Sequence, residues 1–258
     1  MRSWKMLLKR DIKNSFGKKV FILLFFLVLF QFWFVFTSGS VDQVRETGEM
    51  FYMAVVFSFN FFGSIVALAL HYNGISGERE AKFLDLILTS GISKRKAYLS
   101  KVIACLTVSG IFAVFYSFAM TLIYWALSRD IGLSLMTFRY TLPIMAFLSV
   151  FGLMGLMLSV ILRSSRASLV ACMIIGGLLM PRLFVMMVDG LGNLLGFSQQ
   201  VADIVYMISP ALIMNALNGY AETSRLLWGL LLLLIYFTTI LWTGIKVFVK
   251  QDELNYGE

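Results

Sequence analysis

Glu78, Arg79, Glu80, Lys82 and Asp85 crowd five charges into a segment, Gly77–Leu99, that separates two long apolar runs. Among them Phe83, Leu84, Ile87 and Leu88 fall at helical spacing, so the stretch reads as one amphipathic helix with an apolar ridge and a mixed-charge face. Acidic residues open it, where the positive end of the helix dipole favours them, and Gly91 stands where a left-handed cap stops it. The chemistry of such a helix is recognition. Its ridge can insert into a groove of a soluble partner, or the whole helix can lie on lipid.

Residues for covalent chemistry are missing. No GxxxxGK[ST] segment occurs, so the chain has no P-loop of its own, and neither HExxH nor GxSxG is present. One histidine, His71, and two cysteines inside apolar runs, Cys105 and Cys172, make no metal-ligand set and no disulfide framework. Arg182 and Asp189 lie near the outer end of an apolar run, close enough to the interface to be solvated.

The elements that position the charged segment are membrane spans. Of the 258 residues 59% are hydrophobic and 14% charged, too little charge for a soluble surface. Six apolar runs approach or exceed the about 20 residues that cross a hydrocarbon layer. They cover about 20–37, 51–70, 102–127, 140–162, 167–188 and 226–249. The runs are continuous rather than alternating, which excludes barrel strands. The expected fold is an all-α integral membrane protein, a single domain over 1–258 with six transmembrane helices.

Charge sets the orientation. With the N-terminus in the cytosol, the inner segments hold seven Lys and Arg before the first run, six from Arg79 to Lys101, then Arg163, Arg166, Lys246 and Lys250. Only Arg45, Arg129, Arg139, Arg182 and Arg225 fall outside. Acidic residues divide seven and seven, so the inside is +10 and the outside −2. This positive-inside pattern puts both termini in the cytosol, and it makes the basic charge an orientation signal rather than a nucleic-acid surface.

Residues 1–19 form a second amphipathic helix, with Trp4, Leu7, Leu8, Ile12 and Phe16 on its apolar stripe and Lys5, Lys9, Arg10 and Lys13 around it. Such a helix lies in the membrane interface and anchors the chain to lipid. In the third run Cys105, Ser109, Ala113, Ser117 and Thr121 recur every fourth position, and the fourth run carries Gly152, Gly155 and Ser159. Small residues in these rows let neighbouring helices approach closely. The region 189–225, with Pro210, is too interrupted for a full span and reads as one or two short helices at the outer leaflet.

These residues together resemble the permeases of the ABC-2 family of ATP-binding-cassette transporters. Family members carry a segment similar to E-[RK]-E-x-G-T-L-x-x-L-L-x-[ST]-P-[IV]-[ST]-[RK] between spans two and three, with a later lysine. Here Glu78-Arg79-Glu80 matches its start, Leu84, Leu86 and Leu88 its leucines, Ser90 its hydroxyl, Ile92-Ser93-Lys94 its close and Lys101 the lysine. Lys82-Phe83 stands where Gly-Thr is common, and Gly91 replaces the usual proline.

The resemblance implies that Glu78, Arg79, Glu80, Phe83, Leu84, Ile87 and Leu88 form a coupling helix that docks on a separate ATPase subunit. It implies that ATP and Mg bind that partner and no cofactor binds this chain. The N-terminal helix would lie along the inner leaflet and touch the ATPase. Two permease copies, or one copy and a homologue, would flank the path in a bacterial cell membrane. The expected function is export of a hydrophobic or amphipathic cargo, a peptide or drug-like compound. A non-transporting immunity or sensor subunit on the same fold, and a membrane-embedded lipid-modifying enzyme, remain open alternatives.

Overall fold

A computed structural model describes residues 2–37, 59–162, 164–178, 181–196, 204, 208 and 223–253. Among them all regular structure is helical, as the continuous apolar runs require. Helix α1 (Arg2–Ser15) turns at Phe16-Gly17 into α2 (Lys18–Thr37). After residues outside the described set, a π-helical turn at Phe59–Gly63 leads into α3 (Ser64–His71). Two short helices follow, α4 (Ser76–Glu80) and α5 (Phe83–Thr89). Then come α6 (Lys94–Ser128), α7 (Ile131–Leu135), a 3-10 turn at Met136–Tyr140, α8 (Thr141–Ile161), α9 (Ser165–Leu178), α10 (Pro181–Leu195) and α11 (Thr223–Glu253).

Three helices are individually long and apolar enough to span: α6, α8, and Leu227–Lys250 within α11. Two further spans arise if α1–α2, bent by 43°, and α9–α10, bent by 57°, each count as one broken crossing. The chain is therefore membrane-embedded with three to five candidate spans among the described residues. The expected run 20–37 is α2, 102–127 lies within α6, and 140–162 is α8 within a residue or two. Of 51–70 only the part from Phe59 onward is described. The run 167–188 is not one helix but two, because Pro181 has no N–H to continue a helical ladder and instead starts α10. Of the region 189–225, α10 takes the first residues, to Leu195; most of the rest lies outside the described residues.

Helix α8 is central. It touches α3, α6, α9 and α11. Small residues make the closest of these approaches possible. A Cβ on Gly155 would stand 2.8 Å from the Leu68 carbonyl oxygen, and one on Gly152 would meet Cys105 Sγ at 2.9 Å. Ser109, Ala113 and Ser117 are buried on the α6 face that carries the four-residue repeat. Above them Phe59 packs edge-on against Tyr116 at 5.0 Å and Phe147 at 6.2 Å. Two side-chain hydrogen bonds form at this depth: Tyr116 donates to Gln31 at 3.0 Å, and Thr141 to Ser117 at 2.8 Å. On α2 the residues Phe21, Ile22, Phe25, Phe32 and Trp33 face outward, an apolar surface suited to lipid or to another membrane helix.

Candidate functional site

The charged segment folds as an elbow rather than as the single helix its periodicity predicts. Helix α4 ends at Glu80 and α5 starts at Phe83, with Lys82 between them in a left-handed conformation (φ 55°, ψ 16°). A lysine there costs about 1 kcal/mol or more. Packing on both flanks offsets that cost. Downstream, Gly91 adopts φ 79° and ends the segment after Ser90, as its position predicts.

The elbow has an inner and an outer side. Leu84 (4% exposed) and Ile87 (5%) point inward and join Leu7, Ile75, Tyr98 and Phe248 in one apolar cluster. Phe83 is half-buried under the Arg10 guanidinium, 4.1 Å from the ring centre. The outer side presents Ala81, Lys82, Asp85, Leu86, Thr89 and Ser90, with Leu86 62% exposed. So the expected partner-facing ridge of Phe83, Leu84 and Ile87 is largely covered by the chain itself. The α5 residues that face out are Asp85, Leu86 and Thr89. The side chain of Leu88 lies outside the described residues.

Four anchors hold the elbow. Glu78 accepts from Arg10 Nη2 at 2.6 Å and from Lys101 Nζ at 2.5 Å. Asp11, 1% exposed, accepts from the same two cations, at 2.7 Å from Arg10 and 2.9 Å from Lys101, and from the Ser100 hydroxyl. Two acids and two bases from α1, α4 and α6 therefore balance in one half-buried cluster. The Ile75 and Ser76 N–H groups both donate to Ser159 Oγ on α8, at 2.8 Å each. Arg79 donates to the Val160 carbonyl at 3.3 Å. Finally Glu80 accepts the N–H and the hydroxyl of Ser165 at the start of α9, each at 2.7 Å. These Ser165 donors favour the ionised form and hold the Glu80 carboxyl below its ordinary range.

Helix α1 lies along α6 rather than standing apart. Trp4 donates from its indole to the Lys96 carbonyl at 3.1 Å, and Leu7 and Asp11 are buried. Leu8, Ile12 and Phe16 are half-buried, and Lys5, Lys9 and Lys13 exposed. Spacing alone misses Asp11, Ser100 and the pairing role of Arg10 and Lys101. One signal was available: Asp11 is an acid on an otherwise basic helix, four positions from Leu7 on the apolar side.

A cleft of about 550 Å³ opens beside the cluster, between α1, the start of α2, the end of α3 and the elbow; Lys19, His71 and Asn73 line it. Among the described residues no group of three metal-ligating side chains occurs.

Comparison with known families agrees with this architecture. The family model described as "ABC-2 family transporter protein" matches residues 6–253. Members of that family are the membrane component of ABC transporters, generally not catalytic themselves, and they associate with an ABC ATPase subunit. No curated protein matches the chain. With an apolar, membrane-embedded helical chain matched over nearly its whole length, the protein belongs to the ABC-2 family of transporters.

Proposed function

We propose that this chain is the permease subunit of an ABC exporter, and that the outer side of the α4–α5 elbow is where the ATPase docks. One observation carries the reading. The elbow presents Lys82, Asp85 and Leu86 outward while its inner side is fixed to α1, α6, α8 and α9. A push on the outer side would reach α6 through Glu78 and Lys101 and α9 through Glu80 and Ser165. Mg-ATP binds the partner in this reading, and two permease chains, identical or homologous, enclose the path with both termini in the cytosol. The cargo is hydrophobic or amphipathic, in keeping with spans rich in Phe and Met and poor in charge. It moves outward.

The test is co-purification with the cognate ATPase and cargo efflux from vesicles. Leu86→Asp should weaken assembly by about 2 kcal/mol, as for truncation of a buried interface anchor. Leu84→Ala should instead lower the thermal stability of the isolated chain, since its side chain packs inside. Normal assembly and normal efflux with Leu86→Asp would overturn the docking assignment. Normal assembly with no efflux of any amphipathic cargo by the unaltered complex would favour the immunity or sensor reading.

A further inference from the structure

We propose that the cleft between α1, α2 and α3 is a binding site for the headgroup of an anionic phospholipid, with Lys19 as its main cation. The cleft lies where two apolar segments leave the hydrocarbon. Helix α2 turns continuously apolar after Lys19, and α3 runs apolar up to His71. Its mouth is therefore at headgroup depth.

Lys19 differs from the other cations of the cleft. Arg10 and Lys101 are each bound to both Asp11 and Glu78. Those two carboxylates also line the cleft, and the two bases neutralise them. Lys19 is half-buried, and among the described residues its ammonium meets only neutral groups: it donates to the Leu70 carbonyl at 2.7 Å and to Asn73 Oδ1 at 3.2 Å, and it sits 5.7 Å from the Tyr72 ring centre. An ammonium carries three donors, so one remains for a ligand. The cleft thus holds one positive charge in excess, in a space large enough for a phosphate and its ester groups. Asn14 and Asn73 on its wall add amide groups. Just below, Phe21, Ile22 and Phe25 are exposed on α2, a surface for acyl chains. A soluble phosphate shares the headgroup chemistry but makes no use of that apolar surface.

The test uses the full-length chain in detergent, with native mass spectrometry reading the retained lipid. Phosphatidylglycerol and phosphatidylcholine are supplied in equal amounts. The unaltered chain should retain one phosphatidylglycerol in preference, and Lys19→Gln should reduce that preference by about fivefold or more. Lys19→Arg should keep it. Asn14→Asp, an exposed position where folding is not at stake, should abolish it by placing a carboxylate in the cleft. Lys5→Gln, on an exposed lysine of α1 that does not line the cleft, should leave it unchanged. Equal loss in Lys5→Gln and Lys19→Gln would reduce the effect to general surface charge and overturn the site. So would equal retention of the two lipids by the unaltered chain. Displacement of the lipid by millimolar inorganic phosphate would assign the cleft to a soluble anion and overturn the lipid proposal.

Discussion

Ser165 gives both its backbone N–H and its hydroxyl to the Glu80 carboxylate, each at 2.7 Å. The first turn of a helix leaves N–H groups without intrahelical partners. Here the partner of α9 is supplied from the elbow, 85 residues earlier. The elbow and the bent α9–α10 pair are therefore joined by a capping contact, and displacing one strains the other.

That contact has a defined pH range. The Glu80 carboxyl is held below its ordinary 4.5, so the contact is fully present above that value and is lost only as pH falls through the lowered pKa. Hydrogen exchange at the Ser165 amide, corrected for intrinsic rates, should show constant protection from neutral pH down to about 4.5. Glu80→Ala should remove that protection at every pH. Protection that falls in step with an ordinary carboxylate titration would contradict the geometry.

Asp11 is buried against two cations, so neutralising it strands charge. Asp11→Asn should destabilise the chain by about 3 kcal/mol, seen as a lower thermal midpoint in detergent. Adding Lys101→Met should recover part of the loss, because Arg10 and Glu78 then balance each other. Simple additivity of the two changes would argue against a coupled cluster.

Two glycines of apolar helices should respond in opposite ways. Gly155→Ala drives a Cβ to 2.8 Å from the Leu68 carbonyl oxygen, a backbone atom that cannot yield. It should cost about 1–3 kcal/mol. Gly177→Ala meets nothing within 4 Å and should be neutral or stabilising by up to about 1 kcal/mol. Thermal unfolding of the two variants side by side decides between packing and propensity.

Helix α6 is about 50 Å long at 1.5 Å per residue, more than a hydrocarbon layer needs. Its two ends should lie on opposite sides of the membrane. With Cys105 and Cys172 replaced by serine, a cysteine at Arg129 should react with an impermeant thiol reagent in intact cells, and one at Lys94 only after permeabilisation. The reverse result would invert the topology.

Much of the fold is legible because hydrophobic runs leave a helix no alternative in lipid. That is why α8 begins and ends within a residue or two of the apolar run at 140–162. The small-residue rows are legible too, since only Gly155 lets the α8 backbone reach Leu68. The elbow is less so. Periodicity runs straight through Lys82, and nothing about a lysine announces φ 55°. Amphipathicity likewise shows that Leu84 and Ile87 want cover without saying what covers them. The chain's own Leu7 and Phe248 do so, from segments far away in sequence. The cluster of Asp11 with Lys101 spans 90 positions, beyond any spacing rule.

The close approach of Gly155 to Leu68 has a mechanical consequence. No side chain lies between the two backbones to act as a bearing. Sliding α3 along α8 by about one turn would bring Phe151 or Leu158, which share a face with Gly155, against main-chain atoms, so the register is locked. The two helices therefore behave as one strut. Shape change is left to the bent joint at Phe16-Gly17, which precedes the strut in chain order.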